Sequence, residues 1–127
     1  MGIALVFLSI VALMMSYFDW KLWPIIRRAR RRVREIARCA CPNVKVFSRQ
    51  AASRQAPRPL TIWIATDTDE QRDRFLQDPS LYSQLSQALI DVGYPAHAVP
   101  RVRFVVQSQQ TVNRDYGGSW REASEMP

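Results

Sequence analysis

The side chains best suited to chemistry fall into four groups. Asp67, Asp69, Glu70 and Asp73 crowd four carboxylates into seven positions directly after an apolar run. Carboxylates at the end of a strand could hold a magnesium ion or assist phosphoryl transfer. The chain has one histidine, His97, within Tyr94-Pro-Ala-His-Ala-Val-Pro100, where a loop is expected. Its two cysteines, Cys39 and Cys41, stand one residue apart. Asn113, Arg114, Asp115, Tyr116 and Trp120 bracket Gly117-Gly118, and a polar, aromatic loop of this kind can form a recognition surface.

Each group also has a plain structural reading. Asp67 is placed to cap a following helix, with Glu70 as its capping-box partner and Asp69 adding charge favoured by the helix dipole. That accounts for three of the four acids without catalysis. A zinc site needs four ligands, and C-x-C with one distant histidine does not supply them. A disulfide framework needs cysteines spread along the chain. Two reduced thiols are expected, with acylation as the alternative for cysteines beside a membrane. No phosphate-cradling glycine loop, G-x-S-x-G or H-E-x-x-H is present. A binding protein without cofactor or metal is therefore expected. The enzymatic alternative is a small hydrolase or transferase working through Asp67, Asp69 and His97.

Charge is distributed unevenly. Residues 1–60 carry twelve Lys/Arg against two acids, and residues 61–127 carry six against nine, which together make the net +7. The excess comes from Arg27, Arg28, Arg30, Arg31, Arg32, Arg34 and Arg38, just beyond an apolar opening. Gly2–Phe18 is seventeen residues without a formal charge, near the short end of the roughly 17–25 that span a bilayer. Tyr17, Phe18, Trp20 and Trp23 follow as an interfacial belt, and Pro24 is expected to break the helix. The opening lacks the basic leader and small-residue site of a cleaved signal, so an uncleaved anchor is expected. Basic flanks stay on the cytoplasmic side, which puts the N-terminus outside and the rest of the chain in the cytoplasm.

Ile25, Ile26, Ala29, Val33, Ile36, Ala37 and Ala40 recur at helical spacing among the arginines. The expectation is an amphipathic helix lying against anionic lipid headgroups. Nucleic acid is disfavoured because no aromatics interleave the arginines for stacking.

The remaining elements follow from pattern. Residues 43–59 are poor in apolar side chains and read as a linker, with a short strand near Val44–Phe47 as an option. Leu60–Thr66 reads as a buried strand. A short helix follows with Phe75 and Leu76 turned inward. Asp78-Pro79 signals a second start, and Leu81, Leu85, Ala88, Leu89 and Val92 form an apolar stripe ended by Gly93 and Pro95. Val99–Gln107 alternates with period two. Beyond it, Ser108–Tyr116 reads as a short helix, or residues 108–123 as a hairpin.

The expected fold class is α/β, with α+β possible: a transmembrane helix at 1–24, a basic juxtamembrane helix at 25–42, a linker at 43–59, a small α/β domain of two or three strands at 60–123, and a frayed tail at 124–127. The expected function is a single-pass membrane protein whose domain binds a partner at the bilayer. A domain this thin also favours a protein partner or self-association.

Overall fold

The computed structural model describes the backbone of residues 2–51 and 57–125, and side chains at 20–51 and 57–124. It contains helix α1 (Gly2–Arg38), strands β1 (Lys45–Gln50) and β2 (Leu60–Thr66), and helices α2 (Asp69–Gln77) and α3 (Leu81–Asp91). A 3-10 turn (Ala96–Arg101) leads into strand β3 (Arg103–Ser108), and helices α4 (Gln109–Asp115) and α5 (Trp120–Glu125) follow. The result is a mixed α/β fold with a sheet of order β1-β2-β3, β1 antiparallel to β2 and β2 parallel to β3.

The long crossover between the parallel strands is built from α2 and α3, as the β-α-α-β order implies. β2 is central and buried on both faces. Its inward residues Leu60, Ile62 and Ile64 join Val46 of β1 and Val102, with Phe104 and Val106 of β3 packed at the margin. α3 buries Leu81, Leu85, Ala88 and Leu89, the stripe that its spacing predicts. It ends at Gly93, whose φ of 93° is open to glycine without strain. There the amides of Gly93 and Tyr94 bond to the carbonyls of Ile90 and Leu89, which closes the last turn.

α1 supplies the other half of the core. Leu22, Ile26, Ala29, Val33 and Ala37 are all buried against the sheet and α3. This corrects the expectation that residues 25–42 form a separate helix lying on lipid, because their apolar stripe is occupied by the domain itself. It also corrects the expected break at Pro24, which lies inside α1. Pro24 faces solvent, so the backbone bond it cannot make is lost on the wet side. Buried Leu22 and Ile26 on either side hold the axis in place.

Two further boundaries differ from expectation. The supposed linker at 43–59 contains β1, which pairs along its whole length from Lys45↔Ala65 to Gln50↔Leu60. An edge strand tolerates the polar residues that hid it. The cap of α2 is Thr68 rather than Asp67: its hydroxyl accepts from the Gln71 backbone amide, and Gln71 Oε1 accepts in return from Thr68 N. At the start of α3, Asp78 does have the extended backbone of a capping residue, with Pro79 next. Its carboxylate accepts from the amide and hydroxyl of Ser80, the residue before α3, and Ser80 itself makes no side-chain cap bond. For 108–123 the helical alternative holds, with Ser108 capping α4 by accepting from Thr111 N.

Among the described residues no helix is long and apolar enough to cross a membrane. The anchor expected at 1–24 falls mainly on residues 1–19, outside the described side chains.

Candidate interaction surfaces

Of the acid group after β2, Asp69, Glu70 and Asp73 are held by internal bonds, whereas Asp67 is exposed and bonds through its backbone. Asp69 Oδ1 accepts the hydroxyls of Ser108 and Thr111, the latter at 2.6 Å, and Oδ2 accepts Arg114 at 3.1 Å. Arg72 lies 3.5 Å from the same carboxylate and donates to Gln107 Oε1 and Thr111 Oγ1. The two hydroxyls and the Arg114 guanidinium hold the Asp69 carboxyl well below the ordinary carboxylate range. A carboxylate stabilised this strongly as an anion is a poor proton carrier at neutral pH. Asp73 pairs with Arg72, and Glu70 with Arg74. The cluster ties the starts of α2 and α4 to the end of β3.

His97 is not part of it. Asp69 follows the C-terminal end of β2, whereas His97 sits in the turn before the N-terminal end of β3. The strands are parallel, so these are opposite edges of the sheet. The register from Thr61↔Arg103 to Thr66↔Ser108 spans five residue steps, about 16 Å of strand. Among the described residues no three His, Cys, Asp or Glu side chains are placed to hold a metal ion.

The two cysteines are separated by environment. Cys39 is exposed, while Cys41 is fully buried and its thiol donates to Gln71 Oε1 at 3.4 Å.

The group around Gly117-Gly118 is also divided. Gly117 and Gly118 take φ of 59° and 83° and turn the chain between α4 and α5. Arg114 reaches toward Asp69 and Asp115, and Asn113 accepts from Gln109. Trp120 packs edge-on against Phe47, with centroids 5.5 Å apart, and its indole N–H donates to Gln109 Oε1 at 2.6 Å. Phe47 in turn stacks on Trp63. Trp120 is thus part of the cover on the outer face of the sheet. Tyr116, half-buried, lines a groove on that same face.

The arginines of α1 form the most extended surface. With 3.6 residues per turn, Trp20, Trp23, Arg27, Arg31, Arg34 and Arg38 share one side of the helix, opposite the buried stripe. Trp20 and Trp23 are 75% and 59% exposed, and the Arg27 guanidinium lies 5.6 Å from the Trp23 ring centroid. Arg28 and Arg32 flank this side, Arg32 bonded to Glu35, and Arg30 is half-exposed nearer the domain. Beyond the last turn, a cleft of about 470 Å³ is lined by Arg34, Arg38, Val44, Lys45, Val46 and Phe47. Sequence reasoning missed Lys45 as a partner of the arginines, because only pairing of β1 into the sheet brings it beside α1.

These features define a class: a small mixed α/β domain built around a helix that is cationic and aromatic on its free side. No known protein family, curated protein or solved structure matches the chain.

Proposed function

We propose that this protein is a membrane-held binding module, anchored by residues 1–24 with its N-terminus outside and its domain in the cytoplasm. The observation that carries the reading is the continuity of α1 from Gly2 to Arg38. The uncharged stretch Gly2–Phe18 and the buried stripe Leu22–Ala37 belong to one helix, so the anchor enters the domain core with no loose joint between them.

That continuity divides the labour among the arginines. At 1.5 Å per residue, Arg38 stands about 22 Å along the axis from Trp23. Charges are screened within roughly 8–10 Å at physiological salt. With the Trp20 and Trp23 rings at headgroup level, Arg27, Arg28 and Arg30, about 6–11 Å along the axis from Trp23, meet anionic lipid, each contributing about 1 kcal/mol. Arg31 and Arg32, about 12 and 14 Å along, already lie past that zone. Arg34 and Arg38 stand beyond it and, with Lys45, present a cationic cleft to a protein partner bearing an acidic segment. Tyr116 and Trp120, on the outer side of the sheet, offer a second contact area. The hydrolase reading gains no geometric support, since Asp69 is fully bonded and His97 lies at the other edge.

The test is fractionation of cells expressing the full chain. The expected result is retention in carbonate-washed membranes, with the domain digested by protease applied from the cytoplasmic side alone. Release by carbonate, or protection of the domain from that side, overturns the reading.

A further inference from the structure

The outer face of the sheet is a three-by-three array fixed by register: Lys45, Ala65 and Gln107 in one row, Phe47, Trp63 and Val105 in the next, Arg49, Thr61 and Arg103 in the last. The middle row is apolar, with Phe47 covered by Trp120. The last row is open. Together with Trp63, Val105, Gln107, Tyr116, Ala123 and Ser124 it lines a groove of about 230 Å³ between the sheet and α5.

Arg49 and Arg103 occupy the two edge strands with Thr61 between them. Strands lie about 4.8 Å apart, so the two arginine backbones are about 10 Å apart, a span that lets both guanidiniums close on one small group above Thr61. Arg72, Arg74 and Arg114 of the same domain are each paired with a carboxylate. Neither Arg49 nor Arg103 forms a salt bridge with a described residue, and no described groove-lining residue is acidic. Thr61 and Tyr116 add hydroxyls, Gln107 an amide.

We propose that this groove is a binding site for a small dianionic ligand, a phosphomonoester, gripped by Arg49 and Arg103 with Thr61 at its floor. Guanidinium forks match phosphate oxygens two at a time, and two arginines balance the charge of a phosphomonoester above its second ionisation near pH 6. The volume lies below the 300–1,000 Å³ common for drug-sized ligands, so the site takes the phosphate with a small organic group. It lies off α1, which makes it independent of the membrane surface.

The experiment is calorimetric titration of the full chain, in a non-ionic detergent, with phenyl phosphate. Binding is expected at pH 7.5 in the wild type and in an Arg31→Gln, Arg34→Gln control. Arg49→Gln and Arg103→Gln are each expected to weaken it by about ten- to a hundredfold, the value of one charge-assisted contact. Both positions are exposed, and unchanged circular dichroism checks the fold. Affinity should also fall as pH drops below about 6, where the ligand becomes monoanionic. Absence of binding in the wild type, equal binding by both groove variants, or loss confined to the α1 control overturns the proposal.

Discussion

Asp69 and Arg114 are joined at 3.1 Å although 45 positions separate them in the chain. The bond links the first turn of α2 to the last turn of α4, and Ser108 and Thr111 close the same ring of contacts from the end of β3. A carboxylate that sequence assigns to a helix dipole is the hub of the domain's C-terminal half.

Its removal has a pH signature. The folded-state value of Asp69 lies below its ordinary 3.8, so ionised Asp69 stabilises the fold above that range and the contribution is lost as pH falls through it. Asp69→Asn should therefore be less stable than wild type at neutral pH, and the difference should shrink below about pH 4. Urea unfolding at a series of pH values measures this. A difference independent of pH would show that the hub does not act through its charge.

α1 carries two faces with opposite sensitivities. Val33 is fully buried, so Val33→Asp places an unpaired charge in the core and should cost about 3–5 kcal/mol. Arg31, two residues away, is exposed, and Arg31→Gln should change stability by less than about 0.5 kcal/mol. Denaturant midpoints of the two variants decide whether this helix belongs to the core.

The cysteines should differ in reactivity. Cys39 is exposed and Cys41 is not, and only an accessible thiolate attacks a reagent. A thiol-specific dye should label one cysteine per chain under native conditions and both in denaturant, with Cys39→Ser abolishing the native signal. Native labelling that survives Cys39→Ser would mean that Cys41 leaves the core readily.

The β-α-α-β order, the α3 stripe with its Gly93 stop and the alternation through Val102, Phe104 and Val106 were legible in sequence. Each depends on neighbours a few residues apart, where periodicity reports the buried face directly. The cap of α2 was misread because Asp67 and Thr68 are both good caps, and the choice rests on the Gln71 side chain, whose oxygen also takes the Asp67 amide and the Cys41 thiol. β1 was nearly missed because an edge strand in a polar stretch has little periodic signal of its own.

By itself, the sequence determined that the arginine-rich stretch from Ile25 is a helix apolar on one side and cationic on the other, since that follows from 3.6 residues per turn, while its continuity back through Pro24 to Leu22 was not legible there. What the apolar side packs against depends on contacts between distant segments. Only the tertiary structure decided that the sheet and α3, rather than lipid, cover Ala29 and Val33. Strand register decided the rest: it set Arg49 and Arg103 in one row across Thr61 and sent His97 to the edge opposite Asp69. Pairing between strands is a property of the whole fold, and local spacing carries no record of it.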